Sequence, residues 1–256
     1  MNQSLNFSEI ESSLFNEHNK IRTNPKSYIP ILRNVTQYYR KLNILHFIGE
    51  TPFKTHEGKN LVESTIKILE TQQPLQELVY SHELAQASKM HVKDIGKKGI
   101  FSHEGSDGST VSDRVEKFCQ WDLSLVENLD VGTQKPENIM VKLIMCDGDK
   151  TRFQRKNIFN ENMKYIGIGV GEHAIYGFCC VIVMAERIRN LLDEVNEHSF
   201  YLDYLKGIRL KTQKKKHIKD QKVFRKCDNV LTEVTKQVYK LDDGTLYVEE
   251  VNLSEK

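Results

Sequence analysis

The chain has 256 residues, 39% of them hydrophobic, and a formal net charge of +2. That length holds one large domain, or one domain with an appendage, and the apolar content supplies a packed core, which excludes a disordered or fibrous protein. The longest apolar run, Ala174 to Ala185, is far below the ~20 residues needed to span a bilayer, so transmembrane insertion is not expected.

Ser8-Glu9-Ile10-Glu11 has capping-box spacing, and Ile10, Leu14, His18 and Ile21 recur every three or four residues, predicting a helix over Ser8 to Arg22. A second helix is expected over Ser27 to Leu42, kinked at Pro30, and a third over Glu57 to Gln72, stopping before Pro74. Helix Ser81 to Ile95 is followed by Gly96 as a left-handed terminator, and its His91 is read as a packed, hydrogen-bonded core residue. Short helices are expected over Ser112 to Phe118 and, after Pro136, over Glu137 to Cys146.

Two strands follow. In Lys164 to Val170, Ile166, Ile168 and Val170 alternate with Tyr165, Gly167 and Gly169, so one face is apolar and the other is nearly bare, open to close backbone approach. Ala174 to Met184 is apolar almost throughout, as in a strand covered on both faces, and Gly171-Glu172-His173 reads as a tight hairpin link. Helices around a sheet covered on both sides make an α+β protein, a three-layer α-β-α sandwich. The expected domain spans 1–190, and 191–256 forms an extension: a helix over Ile188 to Leu205, a basic arm, and a β-hairpin of Val234 to Leu241 and Thr245 to Val251 around Asp243-Gly244.

The small net charge conceals an asymmetry. Lys206 to Lys226 carries ten Lys or Arg against Asp220 alone, a net of +9, which leaves −7 for the remainder. Lys211, Lys214, Lys215, Lys216, Lys219, Lys222, Arg225 and Lys226 are the candidate partner-binding residues, set against the alternative of a merely solvated segment. Only Phe224 is interleaved as an aromatic, which argues against base stacking and so against nucleic acid. Five cysteines without CxxC spacing suit reduced thiols and a cytoplasmic location. The N-terminal segment has neither a basic start nor an apolar stretch, and Glu9, Glu11 and Glu17 are the reverse of a transit peptide, so secretion and mitochondrial import are not expected.

Between His82 and Glu186 several short motifs fall in one order: SHEGSDGST with His103, VENL with Glu127, TRFQRKNIFN with Gln154, and YIGIGVGEHAIY with His173. In that order they resemble the CAP superfamily, or SCP domain, in its cysteine-poor ciliate and bacterial variant. The resemblance implies the same α-β-α sandwich. It also implies a cleft in which members bind a divalent metal through two histidines and acidic side chains. His103 and Glu127 match the first histidine and the glutamate. Gln154 stands where the second histidine is expected, and Val126 where glycine precedes the glutamate. A carboxamide oxygen is a weak zinc ligand, so a degenerate cleft with no metal or other cofactor is expected. Glu116 or Asp147 could supply the remaining acid, and His173 could substitute as a ligand or simply bond the backbone of its turn.

Ser102 or Ser106 beside His103 and Glu127 is the candidate hydrolytic set, but turn chemistry accounts for a Gly-Ser-Asp-Gly-Ser loop and no GxSxG elbow exists, so no catalytic residues are expected. Arg114, Arg152 and Arg155 are expected to pin the cleft loops. The resulting expectation is a non-enzymatic scaffold in a larger assembly, with a protein partner of acidic surface and a cytoskeletal or axonemal home. A lipid-, sterol- or metal-binding module is the alternative, since relatives of this fold bind such ligands.

Overall fold

The computed structural model describes residues 6–189 in full, and the backbone of residues 215–227, 230–241 and 246–251. The chain divides into two compact units, Met1–Ile188 and Arg189–Lys256. The first unit opens with α1 (Phe7–Thr23), capped by Asn6, whose side chain accepts from the Glu9 amide at 3.4 Å. The capping box expected at Ser8 is therefore displaced: the N-cap is Asn6, two residues before Ser8, and Ser8 lies inside the first turn.

The single kinked helix expected over Ser27 to Leu42 is instead a 3₁₀ turn (Pro25–Tyr28), α2 (Ile29–Val35) and a second 3₁₀ turn (Thr36–Tyr38). Pro30 sits in the first turn of α2, where its missing N–H costs nothing, and Leu42 and Asn43 take positive φ (60° and 59°), which ends helical geometry. Next come the antiparallel pair β1 (Ile44–Leu45) and β2 (Phe53–Lys54), α3 (Lys59–Thr71), β3 (Val79–Tyr80), α4 (His82–Lys98) and α5 (Val111–Val115). β4 (Gln120–Val131), α6 (Pro136–Met145), α7 (Phe153–Ile158), β5 (Tyr165–Gly171) and β6 (Cys179–Arg189) complete the unit.

The central sheet has the order β3-β5-β6-β4, with β3 parallel and β6 antiparallel to β5. The alternation of β6 divides two cores. Cys180, Ile182 and Met184 join Ile166, Ile168 and Val170 of β5 against apolar residues of α1, α2, α3 and α6. Cys179, Val181, Val183 and Ala185 face Leu84, Ala87, Val92 and Ile95 of α4. This is an α-β-α sandwich, as expected.

The bare face of β5 explains why α4 lies so close. A Cβ on Gly167 would stand 2.1 Å from the Ala85 amide nitrogen, and one on Gly169 2.6 Å from the Lys89 nitrogen. Backbone, unlike a flexible side chain, cannot step aside. Gly167→Ala is expected to cost about 3 kcal/mol or more, read as a lower urea midpoint with the slope unchanged.

Other elements depart from expectation. Gly96 is buried inside α4, where a Cβ would meet the Glu172 carbonyl at 2.2 Å; the terminator is Gly99, at φ +67°. The link after β5 is not a tight hairpin but the longer segment 172–178, and β6 begins at Cys179 and runs on through Ile188 and Arg189, which were expected to start a helix. The turn-rich TRFQRKNIFN contains α7. β4 was not expected at all, because Glu127, Asn128 and Asp130 are poor markers of a buried strand.

Among the buried polar side chains of α1, Arg22 and His18 stand at opposite extremes of hydrogen bonding. Arg22, 1% exposed, donates to the carbonyls of Gln76 (3.1 Å), Ile158 (2.5 Å), Asn160 (3.0 Å) and Met163 (3.4 Å), and burial lowers its pKa to about 10. His18, one turn earlier, is fully buried with neither ring nitrogen hydrogen-bonded. Burial first, and then the Arg22 charge, lower its pKa from 6.5 to about 3. The folded ring therefore stays neutral where the unfolded one gains a proton. Stability is complete above pH 6.5 and is lost as pH falls from there towards 3, by about 1.4 kcal/mol per pH unit over that window. The expected check is a midpoint that drops between neutral pH and pH ~5, with a flatter profile for His18→Leu.

The second unit is an antiparallel sheet in the order β7 (Lys215–Cys227), β8 (Val230–Leu241), β9 (Leu246–Val251). The register shifts between His217 and Lys219, and Val223 lies opposite Val234. The expected hairpin is present as the antiparallel pair β8 and β9, and β7 joins it as a third strand. Lys215 to Lys226 of the basic segment is strand rather than free arm, because its partner β8 is rich in β-branched residues that favour pairing. Lys211, Lys214, the Asp243-Gly244 turn and the expected helix beyond Arg189 lie outside the described residues.

Candidate functional site: a cleft beside strand β4

Glu127 lies on β4 with 6% exposure, and both of its oxygens are engaged. Oε2 accepts from an Nη of Arg114 at 2.7 Å, and Oε1 accepts from Nδ1 of His103 at 2.9 Å. Arg114, 2% exposed on α5, also donates to the carbonyls of Ser109 (2.8 Å) and His103 (3.1 Å), so one guanidinium holds the glycine-rich loop to the strand. α5 is itself fixed by a Thr110–Asp113 capping box. Nδ1 is engaged by Glu127 and Nε2 makes no hydrogen bond among the described residues, while the ring packs edge-on to Phe153 at 5.5 Å.

Gln154 on α7 lines a cavity together with His103, but its Oε1 accepts from the Leu129 amide at 2.9 Å while its backbone carbonyl accepts from Asn128 Nδ2 at 3.0 Å. Asn157, one turn on, donates to Asn128 Oδ1 at 2.8 Å. α7 thus uses two amide side chains to satisfy polar groups of β4. Asn128 and Asn157 are structural residues that sequence reasoning missed. The one available signal was a buried-type strand interrupted by Glu-Asn, which demands partners.

His173 is not in the cleft. It is 2% exposed, donates from Nε2 to the Ile100 carbonyl at 3.0 Å, and accepts at Nδ1 from the amides of Ile175 (3.2 Å) and Tyr176 (3.1 Å). Both nitrogens are spent on turn backbone, the second of the two readings open from sequence. Glu116 bonds Ser112 and Trp121, outside the cavity lining. Asp147 lines the cavity but accepts from the amides of His56 (2.7 Å) and Glu57 (3.0 Å). Arg152, at φ +55°, pairs with Glu57 and donates to the Cys146 carbonyl at 2.7 Å; Arg155 donates to the Ile144 carbonyl at 3.0 Å.

Ser106 is bound through both its amide (2.7 Å) and hydroxyl (2.5 Å) to Asp94, whose pKa these bonds lower to about 2, and Ser102 Oγ accepts from the Glu104 amide at 3.0 Å. Neither serine is hydrogen-bonded to His103. His91 is fully buried and donates to the Ser102 carbonyl at 2.9 Å, with burial lowering its pKa. Burial also pushes the Cys119 thiol up to about 12 and the Cys179 thiol to about 11.

The cavity measures about 550 Å³ and is walled by Phe53, Phe101, Leu129, Met145 and Phe153. Two residues not singled out from sequence form part of its floor. Asp130, 5% exposed, accepts from Lys142 Nζ at 2.7 Å, and Lys142 also donates to the Val131 carbonyl (2.7 Å) and Thr133 Oγ1 (2.8 Å). Burial raises the Asp130 pKa, opposed by Lys142.

These residues do not fit a divalent-metal site. Glu127 has no uncommitted oxygen, Gln154 gives its carbonyl oxygen to an amide, and His173 is held elsewhere, so His103 Nε2 stands as the one open donor of that set. Among the described residues no three His, Cys, Asp or Glu are arranged to hold a metal ion, and no helix is long and apolar enough to cross a membrane.

The α-β-α sandwich thus carries a cavity lined by His103, which is hydrogen-bonded to the buried Glu127–Arg114 pair beside it, the arrangement of a CAP-type domain. The chain belongs to the CAP family, the Cysteine-rich secretory protein family, whose sequence profile matches residues 15–184. Two solved structures are similar. One is an extracellular protein containing an SCP domain from Bacillus anthracis, with 18% identity and a TM-score of 0.37, matched over 50% of this chain and 39% of that one. The other is an outer surface protein from Borrelia burgdorferi, with 16% identity and a TM-score of 0.39, matched over 50% of this chain and 87% of that one. No curated protein matches the chain.

Proposed function

We propose that this CAP-domain protein acts without catalysis, as a cytoplasmic scaffold docked through its basic C-terminal segment in a larger cytoskeletal or axonemal assembly. The observation that carries this reading is the commitment to the fold of the polar groups at and beside the cleft: Glu127 is consumed by Arg114 and His103, and Gln154 by the backbone of β4. A group needed for chemistry is normally left able to reach a substrate. The +9 charge of residues 206–226 supplies the docking element and selects an acidic partner.

Co-sedimentation of the purified full chain with microtubules, a polymer with acidic surface tails, tests the proposal. Binding is expected at low salt, falling as salt rises, and is expected to vanish when Lys215, Lys216, Lys219 and Lys222 are all changed to Glu. Absence of binding at low salt, or stoichiometric zinc in the purified protein, would refute it. The cavity of about 550 Å³ favours ligand binding as a second reading, to which bound lipid in native mass spectra would speak.

A further inference from the structure

The loop 46–52, between β1 and β2, carries a motif that the cleft does not use. Five prolines occur in the chain, and the residues before them are Asn24, Ile29, Thr51, Gln73 and Lys135, so Thr51-Pro52 is the one place where a hydroxyl side chain precedes proline. A basic residue, Lys54, follows three positions after Thr51.

The fold presents this tetrapeptide to solvent. Thr51, Pro52 and Lys54 are all exposed, and Ile48 in the same loop is 69% exposed. Neither the Thr51 hydroxyl nor the Lys54 ammonium is bonded to any described residue, whereas the hydroxyls of Ser27, Thr36 and Thr71 are each given to a carbonyl three residues back. Proline fixes its own φ and pushes the residue before it towards extended backbone, and Phe53–Lys54 continue as β2. The stretch therefore favours the extended form in which protein kinases bind their substrates. A kinase of the proline-directed class reads these same features: its channel offers no partner for a backbone N–H after the acceptor, which proline lacks, and a basic side chain three residues on pairs with an anionic group of the enzyme.

We propose that Thr51 is a phosphorylation site for a proline-directed protein kinase, with Pro52 and Lys54 as the residues that the kinase reads. Thr51 Oγ1 attacks the γ-phosphorus of Mg-ATP; the new O–P bond forms as the bond from that phosphorus to the β,γ-bridging oxygen breaks, the hydroxyl proton passes to the kinase's catalytic carboxylate, and ADP leaves. The ester brings about −2 of charge at neutral pH to a chain whose formal charge is +2, and places it beside the cavity that Phe53 and Lys54 line. Its use in the cell rests on the cytoplasmic location proposed above, where ATP and such kinases are found; the reaction of the purified protein does not.

Incubation of the purified full chain with a cyclin-dependent kinase and Mg-ATP tests the assignment. One phosphate per chain is expected, mapped to Thr51 by peptide mass spectrometry. Thr51→Ala and Pro52→Ala are expected to remove it, Thr51→Ser to retain it, and Lys54→Ala to slow its addition several-fold, in proteins whose circular dichroism matches the unaltered chain because all three positions are exposed. No phosphate on the unaltered chain, phosphate only at another residue, or a Pro52→Ala or Lys54→Ala protein modified at the unaltered rate would each overturn the proposal.

Discussion

Replacing Arg22 with methionine is expected to lower the unfolding free energy by about 3–5 kcal/mol, among the largest effects of any single substitution in this chain. The guanidinium is buried with no carboxylate among its hydrogen-bond partners; its positive charge is stabilised instead by the carbonyls of Gln76, Ile158, Asn160 and Met163. Methionine fills much of the same volume but donates nothing, so these carbonyls lose their buried partner at about 1–3 kcal/mol for each that water cannot reach. Lysine would keep the charge and lose the fork, and is expected to recover only part of the loss. Urea denaturation of the three proteins checks the order wild type, Arg22→Lys, Arg22→Met. An Arg22→Met midpoint within error of wild type would show that these carbonyls find other donors.

Glu127→Gln is expected to cost about 3–5 kcal/mol. Arg114, at 2% exposure, would keep its bonds to the Ser109 and His103 carbonyls but lose the carboxylate that neutralises it, and a buried charge stripped of its partner is far more costly than the pair was worth. The pair should therefore be strongly coupled. Glu127→Gln combined with Arg114→Met is expected to be less destabilised than the sum of the two single variants, which a double-mutant cycle in urea measures directly. Additive losses would mean that Glu127 acts through something other than Arg114. His103 is expected to lose its fixed orientation in Glu127→Gln as well, visible as a changed imidazole environment in NMR titration.

The two classes of residue behind these predictions differ in how far sequence exposes them. Glu127 and Arg114 belong to motifs with recognisable order, and the loop-holding role expected for Arg114 follows from its position after a Gly-Ser-Asp-Gly-Ser turn. Arg22 gave no such signal. At the end of an amphipathic helix it reads as a solvated cation near the C-terminal dipole, and the carbonyls it serves lie 54 to 141 residues away along the chain. Gln154 shows the same limit in the cleft. Its residue type excludes a strong metal ligand from sequence alone, yet that its amide would bind the backbone of β4 depends on a strand that the sequence does not announce.

Local periodicity by itself determined the apolar stripes of the helices, the double burial of Val181, Ile182 and Val183 in β6, and the bare glycine face of β5 against which α4 packs, because each follows from which side of an element a residue occupies. Only the tertiary structure decided that Glu127, Asn128 and Asp130 lie on a strand, that His173 closes a turn instead of the cleft, and that Gly99 rather than Gly96 ends α4. Partners distant in sequence decide most of this: Gln154 and Asn157 meet the polar groups of β4, the Ile100 carbonyl holds His173 beside its local turn bonds, and the Glu172 carbonyl lies too near Gly96 for a Cβ.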